Sequence, residues 1–256
     1  MDKLAALRLQ IEYGADEALE NAPVNRITRP PPSGSASLPI VQPIRAMAST
    51  QTATPLADAR LLASKAGSIA ELRQALLDFR GCGLSATATN LVFADGNAEA
   101  QLMLIGDCPG AEEDRAGVPF VGPSGALLDR MMASLGLDRT NLVMTNVVPW
   151  RPPGNRAPTE LEVQLCLPFL FRHITLLRPR HLVLLGALAT QVVLGSKGAV
   201  SRVRGRWAKA SIAGLEDPVE TLPIRHPDHL LRNPEAKRET WIDLIALRRA
   251  LDSSVQ

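Results

Sequence analysis

QLMLIG, at residues 101–106, is a short apolar run without the polar–apolar alternation of a half-exposed strand. Three similar runs follow it: NLVMTNVV at 141–148, HLVLLG at 181–186 and VETLPI at 219–224. Runs of this kind suit strands that are covered on both faces. With helical patterns between them, they predict an α/β/α sandwich around a four-stranded parallel sheet.

Apolar residues at helical spacing separate these strands. Ser68 and Thr159 each precede a glutamate by three residues, which is the capping-box pattern that opens a helix. The predicted helices lie at 69–79, 124–136, 159–177, 187–194 and 234–250. Ligands of open parallel sheets bind beyond the carboxyl ends of the strands. We therefore expect a site where the loops leave the first, second and fourth strands.

The first 55 residues differ from the rest of the chain. Residues 4–20 have the spacing of a short amphipathic helix, and residues 21–55 have the Pro, Ser, Thr and Ala content of a flexible linker. Such a helix is either an exposed tail or docks on the core or on a partner. The expected organisation is an N-terminal extension at 1–55 and one enzyme-sized domain at 56–256.

Composition limits the class of protein. The net charge is only +2, but residues 151–256 carry 16 Lys and Arg against 10 Asp and Glu. This basic excess permits a polyanionic partner, although an ordinary solvated surface has the same composition. Three cysteines form no disulfide framework, and the sequence shows neither a signal peptide nor a membrane-length apolar run. We expect a monomeric cytoplasmic protein without membrane contact.

Three residues near the predicted strand ends could bind a planar ligand. Phe120 stands among prolines and glycines, so either a flat ligand covers its ring or it is an ordinary core residue. Asn146 offers an amide donor and acceptor to a base edge, or it simply fastens two loops. His226 precedes a proline that holds its backbone extended, although a hydrogen-bonded structural histidine is the commoner case.

RHPDHLLR, at 225–232, ends in two leucines and an arginine on what we expect to be an exposed loop. Leu230 and Leu231 would then be apolar wedges that enter a base stack, and Arg232 would meet a phosphate.

Four segments in order resemble the uracil-DNA glycosylase superfamily, closest to its family-4 type. They are GDCPGAEEDRAGVPFVGPSGALLD, TNVVPWRPPGNRAPT, SRVRGRW and HPDHLLRNPE, and the similarity runs from about residue 79 to the C-terminus. The resemblance implies a DNA glycosylase that flips uracil out of DNA and hydrolyses its N-glycosidic bond, the first step of base excision repair. Its partners would be uracil-containing DNA and the abasic product.

The resemblance also implies roles for individual residues. Phe120 would stack on uracil, Asn146 would read its edge, and His226 would donate a hydrogen bond to the oxygen that gains charge. Either Asp107 or Glu113 would assist the sugar cation and the attacking water. The remaining implied contacts are Cys108 and Gly110 beside the base, and Ser124, Asn155 and Arg156 on phosphates.

Two positions beside the base depart from the best-known uracil-specific relatives. Those relatives have a water-activating Asp and a bulky Tyr where this chain has Cys108 and Gly110. The bulky side chain that excludes the methyl group of thymine in those relatives is therefore absent. Uracil remains the expected substrate, and other deaminated bases are possible substrates.

Family-4 enzymes hold an iron–sulfur cluster on four cysteines, and this chain departs from that pattern. The corresponding residues are Phe79, Cys82, Trp150 and Cys166, of which only two are thiols. Because aromatic rings do not ligate iron, we expect no cluster and no other metal or cofactor, with the rings filling the vacated volume.

The motif loops contain no lysine, so we expect a monofunctional glycosylase without Schiff-base lyase chemistry. An alternative from another class is a protein that binds damaged or abasic DNA with little turnover. A serine α/β hydrolase is excluded, since the sequence has no G-x-S-x-G elbow.

Overall fold

The computed structural model describes residues 54–196 and 198–253, all within one compact unit that spans Gln51–Gln256. The predicted helix at 4–20 and nearly all of the predicted linker lie outside the described residues.

One sheet of six strands forms the centre of the described part of the chain. Its strands are β1 Ala94–Gly96, β2 Leu102–Gly106, β3 Val143–Asn146, β4 His181–Leu185, β5 Ala208–Ala210 and β6 Val219–Ile224.

The spatial order is β1-β3-β2-β4-β6-β5. The four predicted strands, β3, β2, β4 and β6, are mutually parallel, which confirms the predicted parallel sheet. The sequence analysis missed β1 and β5, which pair antiparallel at the two edges. Each edge strand has only three residues, too few to produce a recognisable pattern.

Helices connect the parallel strands and cover both faces of the sheet. In chain order they are α1 Pro55–Lys65, α2 Ile69–Asp78, α3 Leu84–Thr87, α4 Ala111–Ala116, α5 Gly122–Ala133, α6 Glu160–Leu177, α7 Ala187–Leu194, α8 Val200–Val203, α9 Pro227–Arg232 and α10 Ala236–Ser253. The predicted start of α6 is confirmed, since Thr159 and Glu162 form a reciprocal capping box.

Alternate residues of β2 serve two separate cores. Met103 and Ile105 belong to one apolar cluster with residues of α1, α2 and α6, whereas Leu102 and Leu104 belong to a second with residues of α5 and α10. Successive side chains of a strand point to opposite faces, so both faces of β2 are covered. The fold is therefore the predicted α/β/α sandwich.

The segment before α10 corrects one prediction. Residues 227–232, which were expected to be an exposed loop, form the short helix α9, with Pro227 at its first position. None of the helices in the described ranges is both long and apolar enough to cross a membrane.

Candidate active site

The carboxyl ends of three parallel strands bring the predicted polar loops together. Gly106 at the end of β2 lies beside Asn146 at the end of β3, and Asp107 follows directly. The end of β6, at Ile224, leads into His226. This is the edge at which open parallel sheets bind ligands.

Phe120 and Asn146 both lie over the end of β2. A Cβ atom added to Gly106 would come within 2.4 Å of Asn146 Oδ1 and 2.6 Å of Phe120 Cζ, so only glycine permits this approach. The ring centroids of Phe120 and His226 are 6.0 Å apart. The fold therefore brings together the three residues that the sequence analysis selected for binding a planar ligand.

Protein atoms cover the Phe120 ring, which is 1% exposed and packs with Leu104 and Leu128 in the second core cluster. This packing is that of an ordinary core residue, one of the two alternatives that the sequence left open. Asn146 is 4% exposed, and its Nδ2 has no hydrogen-bond partner among the described residues. A buried amide donor without a partner is costly, so its presence favours a ligand over a loop fastener.

His226 caps the N-terminus of α9. Its Nδ1 accepts a hydrogen bond from the Asp228 backbone N–H at 3.2 Å, so the proton of the neutral ring resides on Nε2. Burial lowers the pKa of His226 to about 4, because desolvation outweighs the opposing effect of Asp228. His226 is therefore a neutral imidazole with a defined Nε2–H donor at neutral pH.

Asp107 faces the N-terminus of α7. Its Oδ1 accepts a hydrogen bond from the Ala189 backbone N–H at 2.9 Å. A Cβ at Gly186 would meet Asp107 Oδ2 at 2.5 Å, so this glycine, with φ of 114°, makes room for the carboxylate. Burial raises the pKa of Asp107 to about 6, and the N–H groups of α7 partly offset that rise.

Glu113 has both carboxylate oxygens occupied. Oε2 accepts from the Gly110 N–H at 2.5 Å, and Oε1 accepts from the Phe120 N–H at 2.6 Å. Burial raises its pKa, while these two hydrogen bonds lower it. Glu113 therefore fastens Gly110 to Phe120.

An open cleft of about 470 Å³ lies beside these residues, with Asp107, Cys108 and His226 in its wall. Burial, followed by the charges of Asp107 and Glu113, raises the pKa of the Cys108 thiol to about 12. Cys108 is therefore a neutral thiol in the cleft at neutral pH. Gly110 is the N-cap of α4 and does not line the cleft.

The cleft also contains residues that sequence reasoning missed. Ser201, Arg225 and His229 line it, and Arg225 Nη1 lies 3.3 Å from His229 Nε2. Arg225 Nη2 also pairs with Glu239 on α10 at 2.8 Å. In the sequence, only the positions of these residues point to the site. Arg225 directly precedes His226, and Ser201 is the first residue of the SRVRGRW motif.

Because residues 227–232 form the helix α9, its two leucines differ in their exposure to solvent. Leu230 is 1% exposed, so the prediction that it is a wedge for a base stack is wrong, because the helix turns its side chain into the core. Leu231 is 38% exposed and stays available for such a contact. Arg232 is exposed at the rim of the cleft and pairs with Asp228 at 2.5 Å.

The predicted phosphate contacts occupy two other loops. Ser124 lies in the first turn of α5. Asn155 ends a short 3₁₀ turn, Pro153–Asn155, and its Oδ1 accepts from Arg151 Nε at 2.7 Å. Arg156 forms two hydrogen bonds to Glu162, at 2.8 and 2.6 Å, so a phosphate would have to compete with this ion pair.

The four positions that correspond to cluster ligands lie together in the first core cluster. Phe79 packs against Phe169 with ring centroids 5.3 Å apart, and Trp150 is 4% exposed. The Cys82 and Cys166 side chains share a hydrogen bond, which lowers the pKa of the Cys82 thiol to about 7. We call these four residues the cysteine corner.

The sequence profile of the Uracil DNA glycosylase superfamily matches residues 93–245. This range includes the strand-end site, by which we mean Asp107, Cys108, Phe120, Asn146 and His226. The chain therefore belongs to the uracil-DNA glycosylase superfamily.

Three relatives illustrate the similarity. The type-4 uracil-DNA glycosylase of Archaeoglobus fulgidus is 36% identical over 176 residues, which cover 67% of this chain and 87% of the relative. The type-4 enzyme of Pyrobaculum aerophilum is 37% identical over 182 residues, covering 68% and 92%. The type-5 uracil-DNA glycosylase of the same organism is 32% identical over 135 residues, covering 47% and 59%.

Similarity to type-4 enzymes contradicts our expectation that the protein has no cofactor, because that type is a group with an iron–sulfur cluster. The cysteine corner nevertheless does not fit a four-thiolate cluster, since Phe79 and Trp150 offer no thiolate. Across residues 54–196 and 198–253, no group of three or more His, Cys, Asp and Glu could hold a metal ion.

Proposed function

We propose that this member of the superfamily is a monofunctional DNA glycosylase, which flips uracil out of DNA and hydrolyses its N-glycosidic bond. The observation that carries the proposal is the convergence of Phe120, Asn146, Asp107 and a neutral His226 at one edge of the sheet. The reaction would start base excision repair, leaving an abasic site. We assign the activity to the domain at 56–256.

His226 would stabilise the leaving group. As the N-glycosidic bond breaks, uracil departs as an anion and negative charge grows on a carbonyl oxygen of the base. The hydrogen bond from Asp228 orients the ring so that Nε2–H is the available donor. One preorganised donor of this kind contributes about 10²–10³-fold to a rate. Because burial keeps the pKa of His226 near 4, no proton has to leave the ring first.

Asp107 would stabilise the sugar. Bond breakage leaves positive charge at C1′, and a nearby carboxylate favours both that cation and the water that attacks it. Of the two carboxylates that the sequence left open, Asp107 is favoured because it lines the cleft, whereas Glu113 does not line it and fastens Gly110 to Phe120. Asp107 is ionised above its pKa of about 6.

Asn146 and Phe120 would hold the base. The unpartnered Nδ2 of Asn146 is suited to donate to a uracil carbonyl, and its Oδ1 can accept from a ring N–H. Stacking on Phe120 requires the side chains that cover the ring to shift when the base enters, since the ring is 1% exposed. Cys108 would lie beside the base as a neutral thiol.

DNA would approach along the rim of the cleft. Arg232 and Leu231 are exposed there, and the Asp228 partner of Arg232 is itself half-exposed to solvent. A phosphate can compete with such a surface ion pair, which contributes little on its own. We propose Ser124, Asn155 and Arg156 as further phosphate contacts.

A product assay tests the proposal. Purified protein is incubated with a uracil-containing oligonucleotide, and release of free uracil is compared with binding to abasic DNA in a gel shift. Stoichiometric release in a single turnover supports the glycosylase. Tight binding of abasic DNA without release would overturn it and favour a damage-binding protein.

A further inference from the structure

Arg139, on the loop between α5 and β3, lies outside every motif that resembles the superfamily. We propose that Arg139 is a positioning residue, which holds the Phe120 peptide in its left-handed conformation and so sets the ring face for the base. This inference rests on the proposed function, because it deepens the assigned role of Phe120.

The Phe120 backbone needs outside support. Its φ is 54°, in the left-handed region that residues with a Cβ rarely adopt. A Cβ at Gly125 would lie 1.8 Å from the Phe120 carbonyl oxygen, so α5 approaches this peptide as closely as glycine permits. Such a conformation persists only where surrounding contacts fix it.

Two charged side chains supply those contacts from opposite sides. Glu113 Oε1 accepts from the Phe120 N–H at 2.6 Å, and Arg139 Nη2 donates to the Phe120 carbonyl at 2.6 Å. Hydrogen bonds to ionised groups are stronger than neutral ones. The two polar groups on either side of the Phe120 Cα are thus both held by charged partners.

Arg139 is itself fixed in place. Its guanidinium contacts Asp129 on α5 at 3.0 and 3.1 Å and Asp95 on the edge strand β1 at 2.5 Å. A planar fork with five N–H donors can serve these carboxylates and the carbonyl together, but an ammonium cannot reproduce that geometry. Arg139 therefore ties the Phe120 loop to α5 and to the sheet edge.

The test uses single-turnover uracil release by Arg139→Ala and Arg139→Lys, at a temperature where circular dichroism shows both folded. We expect a loss of roughly 10- to 100-fold in the rate of the chemical step at saturating enzyme, the scale for a misplaced reactant. Lysine should not restore the rate. Affinity for abasic DNA should change by less than about threefold, since phosphates dominate it.

Arg248 provides a matched control. Its guanidinium also donates to a backbone carbonyl, that of Leu135 at 3.0 Å, and pairs with Asp252, but it does not contact the Phe120 loop. Arg248→Ala should release uracil at the wild-type rate. If Arg248→Ala lost as much rate as Arg139→Ala, the slower release by both variants would come from lower stability, and the inference would be overturned.

A double-mutant cycle gives the decisive readout. If Arg139 acts only through the aromatic ring, Arg139→Ala should slow uracil release by less than about threefold in a Phe120→Ala background. Full additivity there would overturn the inference even if both single variants are slow. Absence of uracil release by the wild-type protein would instead overturn the proposed function, so the two failures are distinguishable.

Discussion

The strand-end site around Asp107, Asn146 and His226 and the cysteine corner around Trp150 differ in how well their buried groups are satisfied. At the strand ends, Asn146 Nδ2 has no partner among the described residues, and burial shifts the pKa of both Asp107 and His226. In the cysteine corner, Phe79 packs on the ring of Phe169, Trp150 is buried, and the two thiols pair with each other.

This difference predicts which substitutions affect stability and which affect function. Groups that are buried without a partner cost free energy, which a ligand can offset when it completes their hydrogen bonds. Packed rings make no such demand and contribute through apolar burial. We therefore expect substitutions in the cysteine corner to lower stability, and substitutions at the strand ends to lower the excision rate.

The largest expected effect is on stability. Trp150→Ala should lower the free energy of unfolding by roughly 3–5 kcal/mol, because it leaves a cavity in a packed core. Urea denaturation measures the change. Uracil release by the variant below its melting temperature should stay within a few-fold of wild type. An unchanged stability would show that the indole is not a packing element.

His226→Ala should have the next largest effect, with the opposite signature. Loss of the Nε2–H donor should slow single-turnover uracil release roughly a hundredfold or more. Abasic DNA affinity should change only a few-fold. His181→Ala, at the amino end of β4, is the matched control and should leave the rate unchanged. A wild-type rate for His226→Ala would remove it from the reaction.

The pH dependence of the single-turnover rate tests the proposed role of Asp107. Its pKa of about 6 means that the carboxylate is protonated as the pH falls below that value. The single-turnover rate should therefore drop about tenfold per pH unit below about 6. His226 stays neutral until about pH 4 and adds no step in this range. Asp107→Asn should be slower and flat from pH 5 to 7, and a profile like wild type would contradict the assignment.

The smallest expected effect concerns DNA affinity. Arg232→Ala should weaken binding to uracil-containing DNA a few-fold. The slope of log affinity against log salt concentration should fall by about the amount that one phosphate contact contributes. The chemical step at saturating enzyme should not change. Arg249→Ala, exposed on α10, is the control surface charge. Equal weakening by both variants would show a diffuse electrostatic effect instead of a specific contact.

The sequence predicted the four parallel strands and five of the helices, but it missed others, among them the 11-residue helix α1. The four parallel strands and their helices follow from apolar runs and capping residues, and each predicted range overlaps the observed element. The three-residue edge strands β1 and β5 are too short to give a period. RHPDHLLR is too short to show a helical period, but Pro227 starts a helix that buries Leu230.

The site was predictable from residues that follow strand ends, but not from contacts across the fold. Asp107, Asn146 and His226 each lie within two residues of a strand end, so topology alone brings them together. The support of Phe120 by Arg139 spans 19 residues and leaves no local signature. Likewise, only the Asp228 N–H contact defines which nitrogen of His226 carries the proton.

The central claim is that His226 is a neutral imidazole donor before the substrate binds. Nitrogen-15 NMR of His226 in the free, folded protein tests this claim most directly. We predict a ring that stays neutral from pH 8 to 5, with its proton on Nε2, because burial holds its pKa near 4 and the Asp228 N–H occupies Nδ1. A ring that titrates near its ordinary pKa of about 6.5, or that carries its proton on Nδ1, would contradict the account.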